Sequence, residues 1–187
     1  MNWESAIDQF CHHIEIVRRL SAHTIKNYRR DLQELAVQFP EQAPFDLIQH
    51  DIRSFANHQH RKGIASKSLQ RKLSSIRQFY AYFIQQRITV NNPALGIKPP
   101  KAPRKLPKVM DTDQISHLLN YDADGWHQTR DKAIIELFYS SGLRLAEIAS
   151  LNIRDIDFTV KQVKVTGKGN KQRIVPVGRY AKEALLQ

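Results

Sequence analysis

Residues 140–151 read SSGLRLAEIASL and residues 164–177 read KVTGKGNKQRIVPV, and the contrast between the two decides the fold class. The first closes one helical pattern and opens another. Upstream, TRDKAIIELFYSSG places Ala133, Ile134, Leu137 and Phe138 on one inner side at helical spacing. Gly142 supplies the left-handed turn that ends that helix, and LRLAEIASL starts a new one. In the second stretch the period drops toward two. DFTVKQVKV and QRIVPV carry β-branched residues in near alternation around the turn TGKGNK, the pattern of a β-hairpin. A further helix begins near Arg179.

Outward from this pair, the rest of the chain reads as helix. Ile7, Phe10, Cys11, Ile14 and Val17 form one stripe. Ser21 caps a second helix whose buried face is Ile25, Tyr28, Leu32, Leu35 and Phe39. A third runs from about Asp51 to Lys62, with Gly63 as its stop. A fourth, SKSLQRKLSSIRQFYAYFIQQR, presents Leu69, Leu73, Ile76, Phe79, Tyr80 and Phe83. Four amphipathic helices with short connections predict a compact bundle over residues 1–87. Residues 88–110 differ: Pro99, Pro100, Pro103 and Pro107 hold the chain extended, and Lys98, Lys101, Arg104, Lys105 and Lys108 come with no acid. This segment reads as a basic interdomain linker lying along phosphates. Residues 111–187, with a short helix after Asp111, form a second domain. The predicted class is mainly α with a small β-hairpin or sheet.

Charge narrows the partner. In 187 residues, Lys plus Arg number 29 against 18 Asp plus Glu, a formal net of +11. Such an excess favours a polyanion, because cations set against phosphates release condensed counterions. Lys26, Arg29 and Arg30 on the second helix, Lys67, Arg71 and Lys72 on the fourth, and Lys101, Arg104, Lys105 and Lys108 in the linker are the candidate contacts to such a polyanion. The single cysteine, Cys11, cannot form an internal disulfide and reads as a core hydrophobe. No Cys/His cluster has metal spacing, and neither a signal peptide nor a membrane-spanning run is present, so no metal and a cytoplasmic location are expected.

Three residues carry candidate chemistry. Arg144, where two helices meet, has a planar fork suited to the non-bridging oxygens of a phosphate. Glu147, one turn on, can orient that guanidinium. Lys168, between Gly167 and Gly169 at the hairpin tip, can enter a groove and protonate a leaving oxygen. Singly, an arginine at a helix corner and a lysine at a Gly-rich tip are common solvated features.

Taken together, SGLRLAEIASL and VTGKGNKQRIVPVG resemble the tyrosine recombinase (phage integrase) family, and LSAHTIKNYRRDL, RKGIASKSLQRKLSSIRQFYAYF, NNPALGIKPPKAPRKLP and TRDKAIIELFYSSGLR extend the likeness to its Xer branch. The resemblance implies an N-terminal four-helix, SAM-like core-binding domain and an α/β catalytic domain that together clamp double-stranded DNA. It implies strand cleavage and rejoining through a 3′-phosphotyrosine without metal or other cofactor, in resolution of chromosome or plasmid dimers at cell division. The expected partner is a second Xer-type recombinase in a heterotetramer. Arg144 matches the family's first catalytic arginine, Lys168 its hairpin lysine, and Glu147 a supporting acid.

The family's later His-x-x-Arg pair and nucleophilic tyrosine have no counterpart after the hairpin. His50–Arg53, His58–Arg61 and His127–Arg130 precede Arg144, in the wrong order, and read as surface residues. Tyr180 reads as packing at a helix start. The catalytic domain is therefore expected to be truncated and this chain alone inactive in cleavage. A cut there is expected to leave Ile134, Leu137, Phe138, Ile156, Val163, Val165, Ile174 and Val175 partly exposed. A DNA-binding protein without catalysis, either a recombinase remnant or a helical regulator, is the alternative.

Overall fold

A computed structural model of the chain describes residues 1–98, 109–121, 123–167 and 169–187. The chain divides into two compact units, Met1–Lys105 and Leu106–Gln187. Among the described residues, no helix is long and apolar enough to cross a membrane.

The first unit is the helical bundle. Helix α1 (Trp3–Ile16) starts where the Asn2 side chain accepts a hydrogen bond from the Ser5 N–H at 2.9 Å. It buries Ala6, Ile7, Phe10, Cys11 and Ile14. Val17 falls just past its end and is 67% exposed, contrary to the stripe. Ser21 caps α2 (Ala22–Gln38), which sinks Leu32 and Leu35 fully and packs Ile25, Tyr28 and Phe39 at the core's edge. Helix α3 (Gln49–Arg61) stops before Gly63, whose φ of 80° lies in the left-handed region. Helix α4 (Ser66–Gln85) is the central element, and Leu69, Leu73, Ile76, Phe79, Tyr80 and Phe83 are all buried along it. Phe79 sits among rings, with Phe83 at 4.9 Å and Phe10 at 5.7 Å between centroids.

This bundle does not end at residue 87. Ala94 and Ile97 belong to its core. Arg77 on α4 donates to the carbonyls of Ala94 at 3.2 Å and Ile97 at 2.7 Å, and Gln49 donates to the Leu95 carbonyl at 2.9 Å. In return the Asn92 amide donates to the Arg77 carbonyl at 3.0 Å. Side chains thus satisfy backbone groups that a loop presents when it is pressed onto a core. Residues 92–97, expected in the linker, are thus fastened to the bundle. Lys98 is exposed, and Lys101, Arg104, Lys105 and Lys108 lie outside the described residues.

In the second unit, Asp111 and Gln114 cap α5 (Thr112–Leu119) reciprocally: the Gln114 N–H donates to Asp111 at 2.8 Å and the Asp111 N–H to Gln114 at 3.2 Å. Helix α6 (Trp126–Ser141) ends at Gly142, and the short α7 (Leu145–Ala149) follows. A 3-10 turn, Ile153–Asp155, leads into an antiparallel sheet of order β1-β2-β3 (Ile156–Asp157, Gln162–Thr166, Gln172–Pro176). The hairpin is as expected, and β1 adds a third strand through Ile156 opposite Val163. Helix α8 (Arg179–Leu185) packs on α6.

The expectation of open apolar faces holds only in part. Leu137, Val163 and Val165 are at most 2% exposed, because Ala181 of α8, Leu143 and Val177 close the core over them. Ile174 is 66% exposed: alternation along β3 turns it away when Arg173 and Val175 face in. Tyr180 does not pack. It is 62% exposed, with the Arg179 guanidinium 4.8 Å from its ring centroid.

Candidate nucleic-acid interface and catalytic site

The corner between α6 and α7 is built from three successive residues with different tasks. Gly142 adopts φ 57°, ψ 33° and returns its N–H to the Phe138 carbonyl. Leu143 is buried and anchors the turn in the core. Arg144 is then extended, at φ −81° and ψ 151°, and its side chain is 71% exposed. Its backbone N–H donates to Glu147 Oε2 at 2.8 Å and its Nη1 to Glu147 Oε1 at 3.1 Å. The guanidinium is held on one edge while the rest of its fork faces solvent. That arrangement suits an incoming phosphate.

Glu147 is buried to 3% exposure, and a carboxylate there needs charged partners. Arg173 supplies the main one. Its Nη1 donates to Oε1 at 2.6 Å and its Nη2 to Oε2 at 2.9 Å, a two-pronged pair between β3 and α7. The Arg173 bonds, then the Arg144 backbone N–H, outweigh burial and push the Glu147 pKa down to about 2. The carboxylate therefore stays ionised at neutral pH and keeps its grip on Arg144.

Gly167 packs against this cluster. A Cβ at that position would lie 3.2 Å from both Arg173 Nη1 and Glu147 Oε1. A side chain there would require the Arg173–Glu147 pair to give by a few tenths of an ångström, so glycine fits the close approach of the strand end. Lys168, the next residue in the chain, lies outside the described residues.

On the first unit, the candidate DNA contacts separate into groups. Lys26, Arg30 and Lys67 are exposed. Arg29 pairs with Asp8, and both side chains remain substantially exposed. Arg71 pairs with the fully buried Asp31 and lines a cleft of about 760 Å³ with Tyr28, Lys67 and Arg77. Lys72 departs from the expectation of a surface cation. It is 4% exposed and paired with Glu34, with Asp31 Oδ1 3.7 Å away. Its ammonium is neutralised inside the bundle and is not offered to an outside polyanion.

Comparison with known proteins identifies the lineage. The profile of the phage integrase N-terminal SAM-like domain matches residues 7–87, and that of the phage integrase family matches residues 108–187. The chain belongs to the phage integrase family of tyrosine recombinases. Tyrosine recombinase XerC of Xanthomonas campestris pv. campestris (strain B100) is 45% identical over 184 residues, covering 97% of this chain and 57% of that protein. The XerC of Alcanivorax borkumensis is 43% identical over 186 residues, covering 98% and 61%. The chain thus spans roughly three-fifths of the length of these relatives. By fold, it is similar to a lambda integrase in a tetramer bound to a Holliday junction, at TM-score 0.74 and 17% identity over 99% of this chain and 55% of that one. The Tn1549 transposon integrase in complex with transposon right end DNA gives 0.74 and 17% over 97% and 63%.

Within this tyrosine recombinase chain, sequence reading missed Arg173. A signal was present. Opposite β2, whose inward residues are Val163 and Val165, the partners are Val175 and Arg173. An arginine in an inward register requires a carboxylate, and Glu147 is the acid that meets it.

Proposed function

We propose that this chain is the DNA-clamping part, with part of the catalytic centre, of an Xer-type site-specific recombinase that cleaves and rejoins strands through a 3′-phosphotyrosine. In this reading the N-terminal helical unit binds core DNA and the basic run Lys98 to Lys108 follows the backbone. The residues from 111 onward form part of the catalytic domain. Arg144 stabilises charge on the scissile phosphate, and Glu147 orients it. Lys168 protonates the leaving 5′-oxygen. Lys26, Arg29, Arg30, Lys67 and Arg71 track phosphates of the duplex. A second Xer-type recombinase completes a heterotetramer that resolves chromosome or plasmid dimers in the cytoplasm.

The observation that carries this reading is the Arg144 guanidinium, braced by a buried carboxylate on one edge and 71% exposed. A surface arginine with no task needs no such brace. The net charge of +11 supports a polyanionic partner.

The test uses the 187-residue polypeptide with labelled duplex DNA and with a nicked suicide substrate. Binding is expected to weaken steeply between about 50 and 200 mM salt, by a factor of ten or more. Affinity that barely changes over that range refutes the phosphate-tracking reading. No covalent adduct is expected on the suicide substrate, because no tyrosine in family context follows the hairpin. A trapped adduct overturns that assignment.

A further inference from the structure

The bundle holds one ion-pair network that packing alone does not require. Asp31 on α2 is fully buried, its Oδ2 pairing with Arg71 and accepting from Ser75 Oγ at 3.3 Å. Among the described residues its Oδ1 has no hydrogen-bond partner, and the Lys72 ammonium stands 3.7 Å away. Burial pushes the Asp31 pKa up, while Arg71 and then Lys72 pull it down. An apolar residue of similar size between α2 and α4 would avoid that conflict. Arg71, by contrast, is 32% exposed and lines the α2–α4 cleft beside Lys67 and Arg77. Asp31 therefore grips the inner side of a guanidinium whose outer side faces a basic cleft. In the other unit the buried Glu147 likewise accepts from one edge of the exposed Arg144 guanidinium.

We propose that Asp31 is a positioning residue for DNA binding: from beneath the α2–α4 cleft it holds the Arg71 guanidinium in a fixed pose against one phosphate of the duplex. This rests on the DNA-clamping reading above. The sign of its effect separates positioning from plain charge. Removing a negative charge from a DNA-facing unit should, by electrostatics alone, tighten binding. If Asp31 positions Arg71, the same removal weakens it, because a freed long side chain must be ordered on each encounter.

The experiment measures duplex affinity against salt for the 187-residue chain and for D31N, R71Q and the double variant, with circular dichroism confirming that each is folded. R71Q is expected to lower the salt slope by about one, the signature of one lost phosphate contact. D31N is expected to bind about fivefold more weakly than wild type, the scale of one lost hydrogen-bonded contact, and to add nothing in the R71Q background. Should D31N unfold, R71K provides the readout. It keeps the charge without the two-pronged fork, and binding as weak as R71Q supports a held guanidinium. Wild-type affinity in R71K or in folded D31N, tighter binding by D31N, or equal weakening by D31N in both backgrounds overturns the inference and leaves the DNA-clamping reading standing. Wild-type protein that binds without salt dependence overturns both.

Discussion

Ile97→Ala tests whether the N-terminal unit ends where its helices end. Ile97 is 5% exposed in a cluster with the fully buried Ala94, and its carbonyl is held by Arg77 at 2.7 Å. Isoleucine to alanine removes three carbons, about 2.4 kcal/mol at about 0.8 kcal/mol per buried methylene. The residual cavity brings the expected loss to about 3 kcal/mol. With a urea dependence of about 1–1.5 kcal/mol per molar for a unit of this size, the unfolding midpoint falls by about 2–3 M. Trp3 reports on this unit directly. Its indole N–H donates to the Gln42 carbonyl at 3.0 Å and its ring lies 6.1 Å from Phe79. Trp126, the other tryptophan, is 70% exposed and contributes a nearly constant background. Val90→Ala is the control: at 86% exposure it should shift the midpoint by less than about 0.5 M. An Ile97→Ala shift no larger than the control refutes the clasp and returns the linker boundary to residue 88.

Two further outcomes are expected in the second unit. The Glu147 pKa lies at about 2, below its ordinary 4.5, so its stabilising contribution is complete above the ordinary carboxylate range. That contribution is lost as pH falls through about 2. Thermal unfolding followed from pH 7 to pH 2 should show this acid limb, E147Q should flatten it, and identical limbs would sink the assignment. Gly178→Ala would place a Cβ 2.7 Å from the Ser140 Cβ, so a loss of about 1–3 kcal/mol is expected. In an S140G background the loss should shrink in denaturant unfolding, and an equal loss in both backgrounds would refute the clash.

What the sequence by itself determined is what repeats locally. The stripe from Leu69 to Phe83 has helical spacing whatever it packs against, and all six of its residues are buried. The turn at Gly142, the β-branched arms on either side of TGKGNK and the exposed Arg144 are likewise written within a few residues. Only the tertiary structure decided which charges meet. Arg173 reaches Glu147 across 26 residues, and Arg71 reaches Asp31 across 40. Such pairs leave no periodic trace, because they depend on how one element lies on another. The same holds for Ala94 and Ile97, which enter the core from a segment without regular spacing, and for Lys72, a cation on a helix rich in cations that packing turned inward. Backbone periodicity is a property of neighbours in the chain, whereas the partner of a buried charge is a property of neighbours in space.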